Sequence, residues 1–252
     1  YGQQNSAFGD QSLLSNTTGD YNVAVGTQSL RYNTTADNNV AVGHAALRFT
    51  TTGNSNVAVG TSALYGAVGN SHSSNTAIGY EAGYGITTGS NNFFGGYQAG
   101  RGNTTGIDNT TVGYRAGYTN TTGERNTAVG SGALYLNTTG SYNTAFGRDA
   151  LLLNTTGINN TAIGYQAGND VTTGSNNLFA GYKAGESVTT GNTNVALGQQ
   201  ALRNNQTGIA NISIGQDSLS NASNTAASFN VAIGQAAGDA LTTGSENIIM
   251  GF

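Results

Sequence analysis

Asn75-Thr-Ala-Ile-Gly79, repeated letter for letter from Asn160 to Gly164, is the stretch whose reading decides the fold. Looser copies of the form Asn-[Val/Thr/Ser]-Ala-[Val/Ile/Phe]-Gly begin at Asn5. They close on Gly9, Gly26, Gly43, Gly60, Gly79, Gly96, Gly113, Gly130, Gly147, Gly164, Gly181, Gly198, Gly215, Gly234 and Gly251. Successive glycines lie 17 residues apart, except for two steps of 19, Gly60 to Gly79 and Gly215 to Gly234. A register kept over the whole chain is the signature of a repeat architecture.

The period selects the kind of repeat. Two-helix repeats need more than about 30 residues, and a chain with 39 glycines and 8% charged residues offers little for exposed helix faces. One alternating segment, one turn and one short second segment per period describe a coil of an all-β, parallel β-solenoid (a β-roll), with about fifteen 17-residue coils. Coils stacked at roughly 4.8 Å predict a rod of about 70 Å. The register runs through without a linker, so the expectation is a single domain over 1–252, with enlarged turns near 66–74 and 220–228.

Alternation assigns faces within the five-residue segment. Its fourth position, as in Phe8, Val25, Val42, Ile78, Phe146 and Ile163, is almost always large and apolar, and this predicts a core column. The third and fifth, as in Ala77 and Gly79, are minimal. They predict a face approached closely by the opposite wall of the coil or by a second chain. Two coils carry Phe94 and Phe179 at the third place and Gly95 and Ala180 at the fourth, as if volume passed between neighbours. After the glycine, one subset of coils has Leu four places on (Leu13, Leu30, Leu47, Leu64). The other has Gly there (Gly83, Gly100, Gly117, Gly168), usually with Tyr directly after the repeat glycine. Two interchangeable ways of filling one corner are expected.

The following turn is most often Asn-Thr-Thr-Gly, suited to local side-chain bonding and to positive φ. Stacked in register, it predicts an Asn ladder and a Thr ladder.

Composition narrows the function. There is no cysteine for a disulfide or thiolate metal site, and no basic patch for nucleic acid at a net charge of −4. No apolar run reaches the ~18 residues of a membrane span. The chain opens at Tyr1 already inside a repeat, as expected of a processed product or the ordered part of something longer. His44 and His72 stand alone, the carboxylates recur at no fixed offset, and no Gly-Gly-x-Gly-x-Asp calcium repeat is present. Neither an enzyme nor a cofactor is expected.

Candidate ligand contacts are of two kinds. Tyr80, Tyr97 and Tyr114 fall one period apart, as do Tyr165 and Tyr182. Such tyrosines make either a packing ladder or an aromatic platform for sugar rings. Asn70 and His72 lie in the first enlarged turn, Asn221 and Asn224 in the second. Insertions in solenoids bulge to one side, often the binding side. Asn16, Asn33, Asn103, Asn120, Asn137 and Asn154 match the N-glycosylation pattern, which the turn chemistry alone also generates.

The string Asn-x-Ala-Ile-Gly-x-x-Ala resembles the head repeats of trimeric autotransporter adhesins. The longer form, Asn143-Thr-Ala-Phe-Gly through Asn154-Thr-Thr-Gly to Asn160-Thr-Ala-Ile-Gly-Tyr-Gln-Ala-Gly, looks like repeats of phage tail fibres and large bacterial surface proteins. The resemblance implies a left-handed coil, a homotrimer, and an extracellular, cell-surface or virion location. Together these readings predict a structural and adhesive fibre segment whose partners are itself and cell-surface glycans. Two alternatives stand beside it. One is a filament subunit stacking through uncapped solenoid ends, the other an ice-binding solenoid using the Thr pair.

Overall fold

The computed structural model describes residues 2–220, 227–242 and 244–251. The chain is an all-β parallel β-solenoid and, among the described residues, contains no helix. It divides into two compact units, Tyr1–Arg125 and Asn126–Phe252. The first holds β1 (Ser6–Phe8), β2 (Val23–Val25), β3 (Val40–Val42), β4 (Val57–Val59), β5 (Thr76–Ile78), β6 (Phe93–Gly95) and β7 (Thr110–Val112). The second holds β8 (Thr127–Val129), β9 (Thr144–Phe146), β10 (Thr161–Ile163), β11 (Leu178–Ala180), β12 (Val195–Leu197), β13 (Ile212–Ile214), β14 (Val231–Ile233) and β15 (Ile248–Met250).

Within each unit, strands pair in parallel with their sequence neighbours, equivalent residue to equivalent residue. Ala24 lies opposite Ala41 in the first unit and Ala145 opposite Ala162 in the second. The long steps keep this register: Ala58 pairs with Ala77 and Ser213 with Ala232, 19 residues apart. Outside the strands, backbone bonds continue from coil to coil, as from Leu47 N–H to Ala63 O at 3.0 Å.

The faces are the reverse of the sequence expectation. The small third position is the core: Ala24, Ala41, Ala58, Ala77, Ala128, Ala145 and Ala162 are fully buried. The apolar fourth position points outward, with Val42 at 36%, Ile78 at 47%, Phe146 at 55% and Ile163 at 46% exposure. The reason is the width of the coil. A coil this short leaves little space between its strand wall and the opposite corner. Alanine fits there, beside Ala46 and Leu47 or their equivalents from the segment after the glycine. Of the two candidates for the close approach, the opposite wall of the same coil is the one present.

Phe94 and Phe179 fit the same scheme. Both are fully buried at the third position, where other coils have Ala. Their volume is balanced by glycine in the corner, not by Gly95 or Ala180, which face the other way. A Cβ on Gly83 would lie 2.6 Å from the Phe94 ring and 2.7 Å from Leu64, and one on Gly100 would collide with the same ring. Gly168 and Gly185 stand in the same relation to Phe179. Leucine coils instead place Leu30, Leu47 or Leu64 in that corner at φ of 48–50°. That left-handed backbone costs roughly 1–2 kcal/mol in a non-glycine residue, offset here by full burial of the side chain. The two fillings are thus real alternatives for one space.

The repeat glycine is fixed by a separate constraint. Gly43 has φ +134°, and a Cβ there would stand 2.6 Å from the Gly60 carbonyl oxygen of the next coil. No other residue fits so close a backbone approach.

Polar ladders complete the interior. The asparagine that opens each segment is buried from Asn22 to Asn230, half-buried at Asn5 and Asn247, and within each unit the ladder runs from coil to coil. Asn75 Oδ1 accepts from Asn92 N–H and Asn92 Nδ2, both at 3.0 Å, while Asn92 Nδ2 also donates to Gly106 O at 2.9 Å. The turn asparagines form a second, interrupted ladder: Asn33 Nδ2 donates to Asn16 Oδ1 at 2.7 Å and Asn154 Nδ2 to Asn137 Oδ1 at 2.8 Å. Its runs end where the next coil supplies Thr50 or Val171, leaving Asn33 Oδ1 and Asn154 Oδ1 buried without partners. The Thr ladder exists in altered form. The first Thr hydroxyl donates to the next backbone carbonyl, as from Thr34 to Thr51 O at 3.0 Å and from Thr138 to Thr155 O at 3.0 Å. Among the described residues the second Thr of each pair, such as Thr105 or Thr156, is exposed.

Candidate binding surfaces

Tyr80, Tyr97 and Tyr114 follow directly on the repeat glycine and turn outward at the coil corner. The structure brings them together: their centroids are 5.2 and 5.4 Å apart, with planes inclined by 15° and 8°. Tyr165 and Tyr182 stack likewise in the second unit, at 5.4 Å and 13°. Rings stacked this way cover much of one another's faces and turn edges and hydroxyls to solvent. Glu81 lies beside the first run, bonded by Arg101 Nε at 2.7 Å and Gln98 Nε2 at 2.8 Å. Burial pushes the Glu81 carboxyl up, but the bonds from Arg101, Gln98 and Tyr80 outweigh it and hold the group below the usual carboxylate range. The same Glu81 contact raises the Tyr80 phenol.

The enlarged turn of the first unit is built otherwise than expected. Ala67, Val68, Gly69, Ser71 and Ser74 face solvent. Asn70 is buried, donating from Nδ2 to Ile86 O at 2.9 Å. His72 is fully buried, with Nε2 3.1 Å from Thr50 Oγ1 and Nδ1 3.2 Å from Asn56 Oδ1. Burial lowers its pKa to about 4, so the ring is neutral. Asn70 and His72 therefore belong to the interior and not to a ligand surface: the two added residues widen the coil, and polar side chains turn in to fill it. Asn221 and Asn224 lie outside the described residues. His44 is exposed.

The six turn asparagines also face inward. Asn33, Asn103, Asn120, Asn137 and Asn154 are buried, and Asn16 is half-buried. In each the side-chain nitrogen, where a glycan would attach, donates to a backbone carbonyl three residues on; Asn137 Nδ2 lies 2.9 Å from Gly140 O. The folded coil has no room for a sugar at these atoms.

A second aromatic column, not anticipated from the sequence, runs beside the first in the first unit. Tyr32, Phe49, Tyr65 and Tyr84 follow one another at 5.1, 5.0 and 4.9 Å, the middle contact edge to face. Guanidinium groups lie over these rings: Arg31 is 5.0 Å from Tyr32, Arg48 is 4.9 Å from Phe49, and Arg101 is 5.0 Å from Tyr84. Arg101 also lies 5.8 Å from Tyr118, which stands five places after its own glycine as Tyr84 does, and Arg115 lies between that ring and the first column, 5.3 Å from Tyr118 and 5.2 Å from Tyr114. Its sequence signal is real but staggered. Tyr32 and Phe49 stand six places after their glycine, Tyr65 and Tyr84 five, so a strict period misses the run.

Among the described residues, no group of three or more His, Cys, Asp or Glu gathers as a metal site would require, and no helix is long and apolar enough to cross a membrane. Comparison of the chain with protein-family models, with curated proteins and with solved structures gives no match.

Proposed function

We propose that this chain is a non-enzymatic structural and adhesive segment of an extracellular or virion fibre, a left-handed solenoid that associates as a homotrimer and contacts cell-surface glycans. The observation that carries the assembly is the outward strand face. Its second and fourth positions bring Val23, Val25, Val42, Val59, Ile78 and Val112 to the surface of the first unit at 36–47% exposure. Phe146, Ile163, Ile212 and Ile233 do the same in the second, at 37–55%. Soluble monomers seldom keep contiguous apolar surface of this kind, and its usual meaning is a protein interface.

The face is also kept level. Where the fourth position is Gly95, the Phe93 ring lies across it, 3.1 Å from where a Cβ would be. Solvent imposes no such complementarity, whereas a packed partner does. Identical chains offer a matching face at every coil, and the resemblance to adhesin and fibre repeats supports three of them around one axis.

Sedimentation of the native protein tests the reading. A discrete species of three chains is expected, and a Val59→Asp/Ile78→Asp variant should sediment as a folded single chain. A monomeric wild type at micromolar concentration overturns the assembly, and long polymers would replace it by end-to-end stacking.

A further inference from the structure

The arginines of the first unit are matched to aromatic rings, and several lack the carboxylates that such charges ordinarily find. Arg31, Arg48 and Arg115 make no ion pair among the described residues, whereas Arg101, Arg125, Arg148, Lys183 and Arg203 all do. The second unit is the internal control. At the corresponding corner Glu186 takes Lys183 at 2.7 Å and Arg203 at 2.8 Å, and Asp149 takes Arg148 at 3.2 Å. The same coil therefore accommodates neutralising acids at this corner without difficulty.

In the first unit Glu81 is taken by Arg101 and Asp108 by Arg125, and the acids in the coils of Arg31 and Arg48 are used elsewhere. Asp20 and Asp37 sit just before the strands and accept backbone N–H groups from the neighbouring coil, Gln3 N–H at 2.5 Å and Asp20 N–H at 2.7 Å. Arg31 and Arg48 occupy equivalent positions one coil apart, roughly 4.8 Å of rise. Like charges directly opposite across a ladder are destabilising. Both arginines also have buried Nε groups without hydrogen-bond partners. The two half-buried guanidiniums lie 4.9–5.7 Å from the ring centres of Tyr32, Phe49 and Tyr65, and Arg48 Nη1 donates to the Tyr65 hydroxyl at 3.0 Å, so this arginine–aromatic edge is braced from within and carries no carboxylate.

We infer that this edge, formed by Arg31, Arg48 and Arg115 with Tyr32, Tyr65 and Tyr84 beside them, binds an acidic polysaccharide. A pre-stacked guanidinium offers a rigid fork to carboxylate or sulfate, and neighbouring phenols suit sugar hydroxyls and C–H surfaces. Arg115 lies four coils beyond Arg48, about 19 Å along the stacking direction. The ligand is therefore an extended chain with recurring charge, not a small anion. Three guanidiniums without a carboxylate partner, Arg48 bonded to Tyr65 and Arg115 to Gln98, are too few in a net-acidic protein for nucleic-acid affinity, which scales with the number of phosphates neutralised. The inference rests on the adhesive reading for its choice of a surface polymer, but not on the oligomeric state.

Biolayer interferometry on immobilised polygalacturonate, dextran sulfate and neutral dextran tests it. Binding to one or both acidic polymers and none to dextran is expected, and the polymer preferred identifies carboxylate or sulfate as the anion. An Arg31→Gln/Arg48→Gln variant should bind at least about tenfold more weakly, and Arg148→Gln, whose guanidinium is already paired, as the wild type does. Arg31→Lys/Arg48→Lys retains charge and stem packing but loses the fork, so it should melt like the wild type and still bind severalfold more weakly. Absence of wild-type binding to either acidic polymer overturns the inference. So does unchanged binding in both double variants, or equal affinity for single-stranded DNA. Sedimentation of the same samples separates the two proposals: a monomeric wild type that binds the polymer overturns the trimer alone, and a trimer that does not bind overturns this site alone.

Discussion

His72 should make the coil between Gly60 and Gly79 the acid-labile point of the first unit. Its ring is fully buried, and the side chains bonded to it, Thr50, Asn56 and Asn75, carry no charge that could stabilise an imidazolium. Burial lowers its pKa from 6.5 to about 4. Between those values the unfolded chain binds a proton that the folded coil refuses. Folding stability is therefore fully present above pH 6.5, falls by 1.36 kcal/mol for each pH unit on descending to about 4, and levels off below. The total is about 3 kcal/mol, of which about 2 kcal/mol is lost by pH 5. In a solenoid the loss is local, because each coil contacts only its neighbours. Hydrogen exchange, corrected for intrinsic rates, should show residues 66–75 losing about 30-fold protection between pH 7 and pH 5. A reference segment at 92–100 should hold. His72→Gln removes the titrating group and should abolish the difference. Unchanged protection of 66–75 at pH 5, or the same loss in His72→Gln, would refute the argument.

Two further outcomes follow from the interior. Asn92→Ala leaves the buried Asn109 N–H without its acceptor at 2.9 Å, while Gly106 O keeps its bond from Asn103. It should destabilise the first unit by about 2–4 kcal/mol in urea unfolding. Phe94→Ala should cost about 3–5 kcal/mol, because neither Gly83 nor Gly100 can fill the void. Adding Gly100→Leu to that variant recreates the leucine corner and should recover part of the loss. On its own, Gly100→Leu should be destabilising, and a rescue no larger than in the wild-type background would dispose of the exchange argument.

The sequence displays what depends on period and hides what depends on width. The fifteen strands, their parallel register and the two long steps follow from the spacing of the glycines, because a stacked backbone allows no drift. The repeat glycine, held at φ +134° against the next carbonyl, is legible for the same reason. Which strand face lies inside is not legible by the rule that large apolar residues mark the core. That rule assumes a core wide enough to need them. Here the inner strand position holds alanine in most coils and phenylalanine only where glycine clears the corner, so Val42 and Ile78 lie outside while Ala41 and Ala77 lie within. His72 and Asn70 are misplaced by the same assumption, since an insertion read as a protruding loop in fact widens the coil and draws its polar side chains in. The arginine–aromatic edge was hidden by a one-residue stagger, which breaks the sequence period while the ring spacing stays near 5 Å. In a coil this narrow the interior is nearly fixed by the backbone, so the variation between coils collects on the outside. The departures from the repeat on exposed positions, more than its conserved-looking core, are therefore where this chain's individual function is written.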